Sequence, residues 1–238
     1  MPTPADPTPG GVTFHPTDGD GSAHVEAAWS LLTNAEKERA LRFHFERDRH
    51  RWIRGRAWVR QQLGAAVAQP AETLVISAEP AGRLYLPDHP TFDFNLSHTG
   101  GWIALGISQQ CRIGQTAQPR QPGPIGPIGQ TCPGGRIGID LETIDRGFPA
   151  LAIAAEFFLP EERDWIAAGP IDRFFQLWTA KEALMKATGR GMSLEPDKIR
   201  VDLLNGQPAT ITHLETGDTF PVTTWPGPGD TMAAVVLT

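Results

Sequence analysis

Two carboxylates one residue apart, in Ile137-Gly138-Ile139-Asp140-Leu141-Glu142, are the first residues here whose spacing suggests chemistry. Side chains two apart in a strand share a face, so Asp140 and Glu142 project together while Ile139 and Leu141 turn into the core. Neighbouring carboxylates on a core strand repel each other unless a cation lies between them. Hard oxygen ligands of this kind suit Mg2+, which one or two carboxylates hold together with substrate phosphates. An edge strand with an acidic, solvated face would carry the same spacing.

A second group lies in Trp178-Thr179-Ala180-Lys181-Glu182-Ala183-Leu184-Met185-Lys186. On a helix Glu182 and Lys186 stand at i and i+4 on one face, and Thr179 can point the same way. An exposed ion pair worth only about 0.3–0.5 kcal/mol has this spacing too. The third group is Phe94-Asn95-Leu96-Ser97-His98-Thr99-Gly100-Gly101-Trp102. A strand ending in Ser-His and two glycines offers a hydroxyl, an imidazole and backbone amides, a set able to hold phosphate oxygens; a histidine serving only structure is the other reading of His98. No Gly-x-Ser-x-Gly elbow, zinc-ligand spacing or Walker loop is present, and neither cysteine has a helical or basic setting.

The elements that must position these groups follow from periodicity. The run TNAEKERALRF begins as a capped helix with Thr33 or Asn34 at its N-cap, and a second helix is predicted over about His50 to Ala68. Leu74–Ser77 reads as a short strand, Pro80–Pro87 as a turn around Gly82, and Phe92–Leu96 and Trp102–Ser108 as strands joined by SHTGG. Gln109 to Gly135 is dense in Pro, Gly and Gln and reads as a surface loop, with Arg112-Ile113-Gly114 echoed by Arg136-Ile137-Gly138. Beyond it come a buried strand (Arg136–Glu142), helices over Ala150–Phe158, Glu161–Ala168 and Arg173–Thr188, and strands over Ile199–Leu203, Ala209–Leu214 and Met232–Leu237. The organisation expected is α+β, in two halves: residues 1–108, an inserted loop 109–135, and residues 136–238 with the metal site.

Composition narrows the partners. A net charge of -6 argues against non-specific nucleic-acid binding. Against that average, Lys37, Arg39, Arg42, Arg47, Arg49, Arg51, Arg54, Arg56 and Arg60 crowd one segment, for which bound phosphate is one explanation. No signal-peptide pattern and no apolar run of about 18 residues occurs. The expectation is therefore a cytoplasmic protein, with no membrane partner and with Cys111 and Cys132 as reduced thiols.

Taken together, FNLSHTGGW, RIGIDLE and FFQLWTAKEALMKATGRGM resemble the surfactin-synthetase-activating class of 4'-phosphopantetheinyl transferases, whose signatures GIDxE and WxxKExxxKxxG both stand intact. The likeness extends through EKERALRF, HRWIRGRAWVR and AGRLYLP, covering Thr33 to Met192 apart from the loop. It implies a pseudo-dimer of two similar α+β subdomains with coenzyme A in the cleft between them. It also implies transfer of phosphopantetheine to a serine of an acyl-carrier protein or peptidyl-carrier domain, and a monomer is expected because both halves lie in one chain. By the same resemblance Asp140 and Glu182 bind Mg2+, with Glu142 as a third ligand or a holder of metal-bound water, and Lys186 reaches the attacked phosphate. Ser97 and His98, in the same stretch as Asn95, would contact coenzyme A phosphates, as would Arg83 beside Gly82, and Arg39 the 3'-phosphate. Glu162, in FFLPEERDW, matches an acidic position that helps accept the serine proton, a role also open to Glu182 and Glu142.

Two features depart from the family. Gly82-Arg83-Leu84 stands where Gly-Lys-Pro is usual, exchanging a point charge for a planar fork. The loop is the other, since relatives have a short link there. Loop length is inexpensive, about 0.6 kcal/mol per doubling, so folding need not suffer. A module that binds coenzyme A or a carrier protein without turnover is the alternative function.

Overall fold

The computed structural model describes residues 11–18, 22–110, 130–131 and 135–238. The N-terminal half contains β1 (Val12–Pro16), α1 (Ser22–Ser30), α2 (Asn34–Leu41), α3 (Glu46–Val67), β2 (Ser77–Ala78), β3 (Leu84–Tyr85), β4 (Phe92–Thr99) and β5 (Trp102–Gln110). After β6 (Gln130–Thr131), the C-terminal half contains β7 (Ile137–Thr143), α4 (Ala150–Phe157), α5 (Pro160–Ala167), α6 (Asp172–Thr188), β8 (Ile199–Leu204), β9 (Gln207–His213), β10 (Thr219–Gly227) and β11 (Thr231–Leu237).

Each half packs a long helix on an antiparallel sheet. In the first, the sheet runs β1-β5-β4, and α3 lays Val59 and Leu63 against Phe94, Ile103 and Leu105. In the second, the order is β7-β11-β10-β9-β8, and α6 sets Phe174, Leu177 and Leu184 against Met232, Ala234 and Val236. The opposite sides meet in an apolar interface where Val12 and Ala104 face Ile137, Ile139, Leu141, Ala233 and Val235. The molecule is thus an α+β pseudo-dimer whose two halves share a buried seam.

Several elements differ from the sequence reading, and β1, α1 and β3 have no counterpart in it. β4 continues through Thr99, because Gly100 and Gly101 both take positive φ (+53° and +84°) and close a two-residue hairpin. Ser97 and His98 therefore lie inside the strand and not in a link after it. Leu74 is a core residue following a 3-10 turn, and the short strand begins at Ser77. β10 has no counterpart in the sequence reading, since Pro221 and Pro226 weaken its strand signal. Of the expected loop, Gln109 and Gln110 extend β5, and Gln130 and Thr131 pair with them in parallel. Residues 111–129 and 132–134, with Cys111 and Cys132, lie outside the described residues.

Candidate functional site

The site is built where β7 meets α6 and β4. Gly138 lets helix and strand touch: a Cβ there would lie 1.9 Å from the Ala183 carbonyl oxygen and 2.5 Å from the Ala187 nitrogen. No side chain fits, and the closeness brings Asp140, on the same face of β7, to the last turns of α6. Gly189, at φ +71°, ends the helix after Lys186 has been delivered.

Asp140 is 1% exposed. Its Oδ1 accepts from Lys186 Nζ at 2.6 Å and from Ser97 Oγ at 3.0 Å. Its Oδ2 is buried without a hydrogen-bond partner. A buried carboxylate oxygen left bare is costly, by roughly 1–3 kcal/mol or more, unless a ligand completes it. Burial, then the charge of Asp140, raises the pKa of Glu142 to about 7, with Lys186 opposing and Glu182 adding to the rise. Glu182 is raised by burial and by Asp140 in the same way, again against Lys186. Three carboxylates thus share one field with a single lysine, itself 28% exposed at the side chain.

This donor set fits a divalent cation. Among the described residues no three His, Cys, Asp or Glu side chains are gathered closely enough to hold a metal ion by themselves. Mg2+ does not require a closed cage of side chains, since it retains waters and takes substrate oxygens. A divalent cation would complete the bare Oδ2 and favour the ionised form of the two raised carboxylates.

β4 supports this arrangement through its side chains. The Ile137, Ile139 and Leu141 amides donate to Asp93 Oδ2 (2.7 Å), Asn95 Oδ1 (2.9 Å) and Ser97 Oγ (3.2 Å), and Thr99 Oγ1 meets Thr143 Oγ1 at 3.0 Å. Alternate β4 side chains thus stand in for the backbone partner that the edge strand β7 lacks. Arg83 joins the same seam: its guanidinium donates to Asp93 Oδ2 (2.6 Å), to the Ile137 carbonyl (2.8 Å) and to the Lys186 carbonyl. Gly82, at φ +89°, makes the turn that aims it.

The other expected residues are placed apart. Strand alternation puts His98 on the face shared with Phe94 and Leu96, opposite Ser97, and it is exposed. Arg39 is exposed on α2, its guanidinium 5.6 Å from the Trp52 ring centre. Glu162 is not brought to the cluster. Its carboxylate accepts from Lys181 Nζ (2.6 Å), from the Val201 amide (2.9 Å) and from the Leu159 amide (3.0 Å), inside the C-terminal core.

Much of the basic segment serves structure. Arg60, 1% exposed, grips both oxygens of Glu36 and the carbonyls of Ala71 and Leu74. Arg56 also bonds Glu36, at 2.5 Å, and Arg51 pairs with Asp18. Sequence reasoning missed Lys181 and Asp93. Lys181 carried a signal: it stands in the apolar stripe Phe174-Leu177-Leu184 of α6, where a charge demands a buried partner.

Two family models and several known proteins match the chain. A family model described as the 4'-phosphopantetheinyl transferase superfamily matches residues 136–236. One described as 4'-phosphopantetheinyl transferase, N-terminal, matches residues 19–110. The 4'-phosphopantetheinyl transferase HetI of Nostoc sp. (strain PCC 7120 / SAG 25.82 / UTEX 2576) is 30% identical over 189 residues, 76% of this chain and 69% of that protein. A 4'-phosphopantetheinyl transferase of Bacillus subtilis is 29% identical over 187 residues, 76% of this chain and 71% of that protein. The 4'-phosphopantetheinyl transferase Sfp of Bacillus subtilis (strain 168) is 27% identical over 182 residues, 75% and 69% of the two chains.

Proposed function

This chain belongs to the 4'-phosphopantetheinyl transferase superfamily, in the surfactin-synthetase-activating class, and from that premise we propose that it moves 4'-phosphopantetheine from coenzyme A to a serine of an acyl-carrier protein or peptidyl-carrier domain. The observation that carries the metal-dependent form of this reading is the bare, buried Oδ2 of Asp140 amid Glu142, Glu182 and Lys186.

Asp140, Glu142 and Glu182 would hold Mg2+, which when bound supplies Lewis-acid stabilisation of charge on the phosphoryl oxygens. Lys186 adds a fixed positive charge to the same end. The serine oxygen forms a bond to the β-phosphorus of coenzyme A. The bond from that phosphorus to its bridging oxygen breaks, and the electron pair leaves on 3',5'-ADP. The serine proton would pass to Glu142 or Glu182, carboxylates of the same cluster. Glu162 is left out of this step because its oxygens are committed to Lys181 and two backbone amides.

Among groups expected on the phosphates, His98 and Arg39 present exposed side chains, whereas the Ser97 hydroxyl, Asn95 Oδ1 and the Arg83 guanidinium bond within the protein. One chain carries both halves of the cleft, so we propose a monomer, with no nucleic-acid partner and acting in the cytoplasm; no helix among the described residues is long and apolar enough to cross a membrane. A non-catalytic binding module is not favoured, since the carboxylates and Lys186 of both signatures are intact.

The test is the mass of an apo acyl-carrier protein after incubation with this chain, coenzyme A and Mg2+. A gain of one phosphopantetheine, abolished by EDTA, is expected. No gain across fatty-acid, polyketide and peptide carriers would sink the transferase reading, and a gain indifferent to EDTA would sink the metal.

A further inference from the structure

The hydroxyl of Ser97 is fully spoken for. A serine hydroxyl has one proton to give and two lone pairs to offer. Here the proton goes to Asp140 Oδ1 (3.0 Å), and the lone pairs receive the Leu141 amide (3.2 Å) and Lys186 Nζ (3.0 Å). The residue is 6% exposed. A phosphate oxygen approaching Ser97 would have to take the proton now given to Asp140, leaving Oδ1 with Lys186 alone and the buried carboxylate with one donor fewer.

The setting explains why the hydroxyl stands there. Asp93 and Asn95 reach the Ile137 and Ile139 amides from the same face of β4, and Ser97 is the next tooth of that comb. Unlike them, it also touches Asp140 and Lys186. By holding Oδ1 between two donors, Ser97 and Lys186 fix the rotation of the Asp140 carboxylate and leave Oδ2 as its one open oxygen.

We infer that Ser97 is a positioning residue for a metal-binding Asp140, and not a ligand of the coenzyme A phosphates. The inference rests on the metal-dependent reading above. Partners that orient a ligating carboxylate from outside the metal's own shell commonly change metal affinity by about 10–100-fold when removed. A phosphate ligand would leave its mark on coenzyme A binding.

Mn2+, titrated alone and followed by electron paramagnetic resonance, serves as the metal probe; coenzyme A binding is measured calorimetrically in EDTA. Ser97→Ala should weaken Mn2+ by about 10–100-fold and leave coenzyme A affinity in EDTA within about twofold of the unaltered chain. Ser97→Thr, which keeps the hydroxyl on a strand that already carries Thr99 in the same comb, should restore Mn2+ binding. Unchanged Mn2+ affinity in Ser97→Ala overturns the inference, whether or not coenzyme A binding falls. Equal losses of both ligands that Ser97→Thr does not rescue overturn it too, because they report a loosened seam. The carrier-mass assay on the unaltered chain judges the transferase reading separately.

Discussion

α6 carries two lysines, five residues apart, each 2.6 Å from a buried carboxylate oxygen, and the two pairs differ in nearly everything else. Lys181 and Glu162 are 0% and 2% exposed at their side chains. Lys181 also donates to the Pro196 and Ile199 carbonyls and sits 4.6 Å from the Phe158 ring centre, while Glu162 accepts two backbone amides. That network is closed. Lys186 and Asp140 form an open one, with a bare Oδ2, two neighbouring carboxylates raised toward neutrality, and a lysine more than a quarter exposed. Pair distance does not separate structure from function here; unused bonding capacity does.

The comparison predicts opposite outcomes for mutation at the two pairs. Asp140→Ala should reduce phosphopantetheine transfer by more than about a hundredfold, because it removes the central carboxylate of the charge cluster. Lys186 is near enough to solvent to remain hydrated, so the melting temperature should barely move. Transfer rate and thermal unfolding measured on one preparation decide it: near-normal turnover would dismiss Asp140 from the metal site.

Lys181→Met should behave the other way. It strands Glu162 as an uncompensated buried charge and frees two carbonyls, a loss of about 3–5 kcal/mol in unfolding free energy. The fraction that remains folded should keep its turnover per molecule. Urea unfolding beside active-fraction kinetics separates the two effects. A fall in turnover per folded molecule would place Lys181 in the chemistry and erase the contrast between the networks.

The sequence made the open network easier to see than the closed one. Asp140 and Glu142 share a face by strand period, and Glu182 and Lys186 by helical period, so local spacing drew attention to each pair and the family resemblance joined them. What local spacing could not show is which elements come together. Asp93, Asn95, Ser97 and Thr99 alternate as a polar row on a strand whose other face enters the core, and the row makes sense only once β7 is found beside it. Arg60 misled in the same way. It lies in the stripe Ile53-Ala57-Gly64 of α3, and its charge is spent on Glu36 and backbone carbonyls rather than offered to phosphate. A charged residue in an apolar helical stripe was the available sign at both Arg60 and Lys181.

The smallest expected effect is the pH dependence that the open network adds. Without a divalent cation, burial and the charge of Asp140 raise Glu142 from 4.5 to about 7, and Glu182 moves the same way. The folded chain therefore keeps a proton that the unfolded chain releases between pH 4.5 and about 7. Since the folded state binds more protons in that window, its stability falls as pH rises through it. Both groups are part-exposed, so solvent screening holds the slope shallow. Asp18 and Glu36, shifted downward by their arginine partners, titrate below this window; for Glu36 the arginines and the Thr33 amide outweigh a burial that acts upward. His15, lowered from 6.5 by burial and then by Arg54, acts within the window with the opposite sign, so the carboxylate contribution is read as the difference between the unaltered chain and Glu142→Gln. Mg2+ should remove the slope, because the ionised carboxylates then gain a partner. From about pH 5 to 8 in EDTA the melting temperature of the unaltered chain should fall relative to that of Glu142→Gln, which has no proton to lose. If Glu142→Gln leaves the EDTA profile unchanged, the carboxylate is already ionised across the window, and the open network is not missing a positive charge.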